Sequence, residues 1–494
     1  MLQRSNRITL KPGSVLLIAF CIAIALWTAA YPFGRVFLLT PFDYNEGWNV
    51  FNAQKAAEHE LLYPAGAAWE LVNYPALSFH LVAALSRLTH GFLFAGRLLS
   101  LAGLCLSGIL SGMIVWQATR RKMAAWLTGL FVIAIFCAND TYYVGMDDPQ
   151  ILAQAFFLAG IYVYLRGDRK GRAIDLTAVL FVAGGNIKHN LIEFPLAVLL
   201  DLLLASPRRA LRFAVGGSLM AIVSVALTIY FDGPGYVASL LSPRSYFVSQ
   251  VFAGVGQALL TTLLPTTAAI WMAATCWKDV KQRVLVLLFF CAVAVDTYFS
   301  GGDGVDINIF FGYTLAIALL SGIFWARMPE LPRSRAQALR TNATYLSFFA
   351  FLLIVLIFRK DAWPGRDLAK DRASAQRFAT EVAFLHGHPG PAVCEELLEC
   401  YYAGKPQLYD PFNAMRLIER GRLDPGVMVN QVKSRRYAAV QMYSEPEELA
   451  NGEESGGFFP SPVLKAIVAD YEIGLETEDG VIYVPKRDVK DSPR

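Results

Sequence analysis

The feature that most constrains this chain is the alternation of long apolar runs with short basic loops. Residues 15–27, 213–231 and 284–295 are almost wholly apolar. A run near twenty residues matches the hydrocarbon thickness of a bilayer when it is helical. A helix also satisfies every backbone polar group internally, as lipid requires. Charged residues are 17% of the 494, against about 25% in soluble domains, and cannot cover a soluble surface of this size. The chain therefore reads as a polytopic membrane protein. Disordered, collagen-like and disulfide-scaffold classes are excluded. The net charge of +4 is small and sits in loops, so no nucleic-acid partner is expected.

The runs predict about eleven membrane helices: residues 15–32, 92–117, 123–139, 149–165, 174–187, 190–205, 210–231, 251–276, 284–299, 308–326 and 342–358. Arg4, Arg7 and Lys11 precede the first, whose apolar length exceeds that of a cleaved signal, so it is expected to stay as a span. One set of loops holds Arg120, Arg121 and Lys122; Arg166, Arg169, Lys170 and Arg172; and Arg208, Arg209 and Arg212. It continues with Lys278, Lys281 and Arg283, then Arg327, Arg333, Arg335 and Arg340. The short loops between carry only Lys188 and Arg244. By the positive-inside rule the first set and the N-terminus are cytoplasmic. Parity then makes the short apolar segment 76–90 a juxtamembrane or re-entrant helix on the outer side. It also puts the tail outside.

From residue 359 the apolar runs shorten and charge rises. Residues 391–396 and 437–443 read as strands, and 413–420, 427–436 and 462–470 as helices. Residues 471–475 and 481–485 flank an Asp479-Gly480 hairpin turn. The expected architecture is an all-α polytopic membrane unit, residues 1–358, and a small outer α/β domain, residues 359–494. Cys394 and Cys400 would face an oxidising compartment, and spacing alone leaves them bridged or free. The other cysteines lie in apolar runs as small hydrophobes.

The acids collect on the outer side. The first outer loop has Asp43, Glu46, Glu58, Glu60 and Glu70; the second has Asp140, Asp147 and Asp148; later ones have Asp232, Asp303 and Asp306. Part of this mirrors the positive-inside rule. Few ionisable groups fall near mid-bilayer, where a secondary transporter keeps its substrate and ion ligands. Two acids stand out by setting. Asp43 and Glu46, at the outer end of the first span, form a compact anionic site among aromatics. Asp147-Asp148 opens a later span, where adjacent carboxylates favour a bound cation or a shared proton.

Several motifs in order carry a resemblance: Asp43-Tyr44-Asn45-Glu46-Gly47, Leu62-Tyr63-Pro64, Asn73-Tyr74-Pro75, Ala95-Gly96-Arg97-Leu98-Leu99-Ser100, Met146-Asp147-Asp148, Asn186-Ile187-Lys188-His189-Asn190 and Gly304-Val305-Asp306-Ile307-Asn308. Together they resemble the bacterial GT-C glycosyltransferases related to protein O-mannosyltransferases and to the lipid A aminoarabinose transferase. The resemblance implies a sugar delivered on a polyprenyl phosphate. An acceptor hydroxyl at the outer face, on a lipid, glycan or protein, displaces that phosphate with inversion. It implies an acidic base at the end of the first span, here Asp43 or Glu46, since Asn45 interrupts the usual Asp-Glu pair. The second acidic motif maps to Asp147, with Asp148 beside it, which in some relatives help hold a divalent metal such as Mg or Mn. A donor-phosphate lysine maps to Lys188. A second such lysine, before the 76–90 helix, is replaced by Tyr74.

The chemistry is consistent on its own terms. An attacking hydroxyl must lose its proton, which a positioned carboxylate can accept. The leaving phosphate needs a cation, which Lys188, Arg244 or a metal on Asp147 and Asp148 would supply. Headgroup snorkelling accounts for Arg244 equally well. Expected partners are a polyprenyl-phosphate-linked sugar and membrane lipids. A lipid or glycan transporter, and an inactive scaffold with an outer binding domain, are the alternatives.

Overall fold

The computed structural model describes residues 12–66, 71–242, 244–329, 334–359, 363–445 and 458–487. Arg4, Arg7, Lys11, Glu70 and Arg333 lie outside them.

The first span is α1 (Pro12–Arg35). Two shorter helices follow between α1 and the next long helix, α2 (Tyr44–Ala57) and α3 (Ala76–Thr89). The membrane unit continues with α4 (Phe92–Thr119), α5 (Lys122–Asn139), α6 (Gln150–Arg166), α7 (Arg172–Gly185), α8 (Glu193–Ala205) and α9 (Pro207–Asp232). After the short α10 (Tyr236–Leu240) come α11 (Val248–Cys276), α12 (Val280–Phe299), α13 (Phe311–Ala326) and α14 (Arg335–Phe358). Every expected span is a helix. Among the described residues, eight helices are long and apolar enough to cross a membrane; α6, α7 and α8, at 17, 14 and 13 residues, are shorter.

Ion pairs show how these three short helices run. Lys188, after α7, faces Asp148, before α6. Asp201, near the end of α8, binds Arg169, after α6, and Arg283, at the start of α12, at 2.7 and 2.6 Å. The helices therefore run antiparallel between the same two ends of the bundle. The basic-loop residues gather at one end and the outer-loop residues at the other, as the charge alternation predicts.

The core is aromatic and aliphatic. The Phe131 ring lies 5.4 Å from Trp325 and 5.9 Å from Phe348, joining α5, α13 and α14 edge to face. Within α11, Pro265 has no N–H to give Thr261, and the backbone departs from helical geometry at Thr262. Asn139 Nδ2 donates to the freed Thr261 carbonyl at 3.0 Å, so the kink leaves no orphan there.

Beyond α14, the long helix α15 (Pro364–Gly387) packs against α1. The tail then forms β1 (Ala392–Cys394), α16 (Leu397–Tyr402), α17 (Pro411–Glu419), α18 (Pro425–Lys433), β2 (Ala439–Met442), α19 (Ser461–Asp470), β3 (Tyr471–Glu476) and β4 (Val481–Pro485). The sheet order is β1-β2-β4-β3, with β1 parallel to β2 and the other pairs antiparallel. Cys394 and Cys400 are bridged, with Cα atoms 5.9 Å apart, tying β1 to α16. The all-α membrane unit with a small α/β domain is thus the observed architecture.

The C-terminal α/β domain sits on α2. A Cβ at Gly47 would lie 2.3 Å from the Leu398 backbone nitrogen, so only glycine lets α2 lie directly on α16. Tyr44 adds a ring contact at 4.8 Å to Phe412 of α17.

Candidate active site

The loop from α1 to α2 is folded around one side chain from α4. Arg97 is 1% exposed. Its Nη1 donates to the Leu38 carbonyl at 2.6 Å, and its Nη2 to the Thr40 carbonyl at 2.6 Å. Nε and Nη2 also grip the two carboxylate oxygens of Glu46, at 2.8 and 2.6 Å. Phe42 lies between two guanidinium groups, 4.0 Å from Arg35 and 3.6 Å from Arg97.

Glu46 is fully buried. Its Oε2 also accepts from the Phe42 N–H at 2.9 Å, and its Oε1 from the Asp147 N–H at 3.0 Å. Each oxygen thus carries two donors. The carboxylate ties together the first loop, α4 and the second outer loop.

Asp43 is placed differently. It is the N-cap of α2: its Oδ1 accepts from the Asn45 N–H at 2.9 Å, which caps the start of the helix and fixes the rotamer. Its Oδ2 accepts from the Tyr142 hydroxyl at 2.8 Å. Asp43 is half-buried, unlike Glu46. Burial pushes its carboxyl above the usual range, opposed by the Asn45 and Tyr142 hydrogen bonds. The neighbouring Tyr143 hydroxyl donates to Asp306 at 2.8 Å, holding the same segment from its other side.

The C-terminal α/β domain brings a further acid. Glu396, at the start of α16, accepts from the Tyr443 hydroxyl at 2.9 Å and the Leu398 N–H at 3.1 Å. Burial pushes it up to about 8, and the charges of Asp43 and Glu46 add to that rise.

The cationic side lies further along α2. The Lys188 ammonium sits 3.5 Å from the centre of the Tyr74 ring and 3.6 Å from Asp148 Oδ2. Tyr74 also stacks edge-on against Trp48 of α2 at 5.0 Å. Arg244 is exposed, and its charge reaches Tyr74 and Arg416. Of the predicted donor-phosphate residues, Lys188 and Tyr74 are in contact and Arg244 lies within electrostatic range.

Asp147 and Asp148 do not converge with other ligands. The Asp147 carboxylate packs on Gly96, where a Cβ would lie 1.9 Å from Oδ1. Burial and the Glu46 charge push its carboxyl well above the usual range, toward the neutral form. Asp148 is paired with Lys188. The two acids share a cavity of about 10 Å3, room for about one water. Among the described residues no group of three or more His, Cys, Asp or Glu side chains is arranged to hold a metal. A hydrated divalent ion needs only one or two charged carboxylates, but here Asp148 is already paired with Lys188 and Asp147 is pushed toward its neutral form, so the pair fits such an ion poorly.

Arg97, Tyr142 and Glu396 were not singled out by the sequence as site residues. Arg97 carried a signal: a lone arginine inside an apolar span is costly unless it is paired. Tyr142 and Glu396 carried none.

No protein-family model matches the chain, and no curated protein matches it in sequence. In three dimensions it is similar to the crystal structure of ArnT from Cupriavidus metallidurans bound to undecaprenyl phosphate. The TM-score is 0.60 at 14% identity, covering 95% of this chain and 97% of that one. The apo state of the same protein gives the same values. It is also similar to the archaeal oligosaccharyltransferase AglB from Archaeoglobus fulgidus, in complex with an inhibitory peptide and a dolichol-phosphate. There the TM-score is 0.52 at 11% identity, covering 97% of this chain and 74% of that one. Both neighbours are GT-C glycosyltransferases, and the chain has their fold.

Proposed function

We propose that this chain is an integral-membrane glycosyltransferase. It moves a sugar from a polyprenyl-phosphate donor to an acceptor hydroxyl at the outer membrane face. The observation that carries the reading is the division of labour between two carboxylates three residues apart. Glu46 is buried under four donors and organises the loop. Asp43 is oriented by two donors and half-open to an incoming group. The undecaprenyl phosphate bound by ArnT and the dolichol-phosphate bound by AglB support a polyprenyl-phosphate donor.

In this mechanism the acceptor hydroxyl gives its proton to Asp43 as its oxygen attacks the anomeric carbon. The bond from that carbon to the phosphate oxygen breaks, the polyprenyl phosphate leaves with the electron pair, and configuration inverts. A carboxyl raised above its ordinary range is a stronger base near neutral pH. Lys188 and Arg244 balance the charge that develops on the phosphate. No step uses a metal. The reading takes residues 1–358 as the membrane unit, with the N-terminus cytoplasmic, and 359–494 as the outer domain. The ion pairs put the basic loops of α6 and α12 at one end of the bundle, and the positive-inside rule supports taking that end as cytoplasmic.

The test is incubation of purified protein with labelled polyprenyl-phosphate sugars and a membrane extract. Label appearing on an acceptor supports the transferase. Label crossing sealed vesicles without transfer would replace this reading with a transporter.

A further inference from the structure

An open groove of about 600 Å3 lies between α3 on one side and α7 and α9 on the other, within the size range of ligand sites. Leu77, Val182, Met220, Leu227 and Phe231 give it apolar walls. The α9 wall projects from the bundle: Leu219, Val223 and Phe231 are each more than half exposed. In a bilayer the groove therefore opens sideways to acyl chains. The polar groups inside are already bonded. The Ser224 hydroxyl meets Asn186 Oδ1 at 2.8 Å, and the Thr228 hydroxyl donates to the Ser224 carbonyl at 3.1 Å. The walls thus suit a hydrocarbon chain.

The mouth is polar. His80 of α3 reaches across to Asp232 at the end of α9, 2.7 Å from Nε2 to Oδ1. His59 and Glu60, just past α2, complete the rim, and both are exposed. Among the described residues that line the groove there is no Lys or Arg. A head bearing only phosphate would meet two carboxylates and no fixed cation. A head bearing an ammonium as well as a phosphate finds an acceptor in the exposed Glu60 and a donor in the exposed His59, while Asp232 and His80 hold each other. The mouth is also distant from Asp43. The 14 residues of α2 separate them, about 20 Å at ~1.5 Å per residue.

We propose that this groove binds a phospholipid whose head carries a primary ammonium, of the phosphatidylethanolamine type, with one acyl chain lying along α7 and α9. Such a lipid braces α3 against both helices. Beside the α7 wall the Leu77 N–H donates to the Asn186 carbonyl at 3.2 Å, and Asn186 begins the turn that carries Lys188. The bound lipid thereby supports the Tyr74–Lys188 contact. The proposal requires the chain to sit in a bilayer but not the transferase reading, so absence of glycosyl transfer leaves it standing.

The test is native mass spectrometry of the full-length protein in detergent, supplied with equal amounts of phosphatidylethanolamine and phosphatidylglycerol. Phosphatidylethanolamine should be retained about 2–5-fold over phosphatidylglycerol, the range that one partly exposed charge pair supplies. Glu60→Lys, at an exposed position, should leave the melting temperature unchanged and invert the preference. Leu227→Trp should narrow the groove beside α9 and weaken retention of both lipids. Equal retention of the two lipids that Glu60→Lys does not change would overturn the proposal. So would added undecaprenyl phosphate displacing phosphatidylethanolamine from the wild type but failing to bind Leu227→Trp, which would assign the groove to the donor's own chain.

Discussion

Arg97 and Glu46 form a two-point ion pair, Nε to Oε1 at 2.8 Å and Nη2 to Oε2 at 2.6 Å, with neither side chain more than 1% exposed. The same guanidinium holds the carbonyls of Leu38 and Thr40. The pair is the clasp that sets the chain path into Asp43.

Removing one half of a buried pair strands the other charge, at a cost of about 3–5 kcal/mol. Arg97→Ala should therefore lower the melting temperature sharply in detergent. Arg97→Lys should recover little, because an ammonium cannot span both carboxylate oxygens and the two carbonyls. The double variant Arg97→Met with Glu46→Gln should melt above Arg97→Ala. Additive losses would show that the pair is not coupled.

Asp43→Asn keeps the shape of the N-cap and removes the proton acceptor. If Asp43 is the base, transfer should fall by about 10²–10⁴-fold while donor binding persists. Glu46→Gln should act mainly through stability, since its oxygens serve as acceptors within the fold. Single-turnover rates on folded protein separate the two. Full activity in Asp43→Asn would remove it from the mechanism.

Tyr142→Phe tests how the base is tuned. Asp43 must be ionised to accept a proton, so the rate falls as pH drops through its folded pKa, which burial already raises. The Tyr142 hydrogen bond favours the carboxylate and lowers that pKa. Without it the pKa rises further, and the acidic limb of kcat/KM against pH should move to higher pH. An unshifted limb would show that Tyr142 has no influence on the titrating group.

Lys188→Ala should lower kcat/KM for the polyprenyl donor by about 10–100-fold, the equivalent of one lost charged hydrogen bond of ~1.5–3 kcal/mol. Lys188→Arg should lose less, because the fixed charge beside Tyr74 and Asp148 is kept. If both variants behave alike and near wild type, Lys188 only satisfies Asp148.

Cysteines introduced at Lys170 and Arg208 should be protected from an impermeant thiol reagent in intact cells, and cysteines at Ser245 and Glu472 should be labelled. All four positions are exposed in the fold. Labelling at Lys170 would reverse the orientation inferred from loop charge.

The sequence by itself determined the membrane class, the helical spans, the alternation of loop charge and the strands of the outer domain. These follow from local properties: run length against bilayer thickness, charge next to a span, and a hairpin turn at Asp479-Gly480. It also marked Asp43, Glu46 and Lys188 as worth attention. It did not separate Asp43 from Glu46, because residues three apart share nearly the same local sequence. That difference is decided by partners 51 and 99 residues away, Arg97 for Glu46 and Tyr142 for Asp43. Tyr74, which read as a lost lysine, proves to be the ring that supports Lys188. The pairing of Cys394 with Cys400 and the seating of Glu396 near Asp43 depend on how the outer domain folds and packs. In each case the deciding quantity is burial together with the partner supplied by another helix, and neither is a property of the residue or its neighbours in the chain.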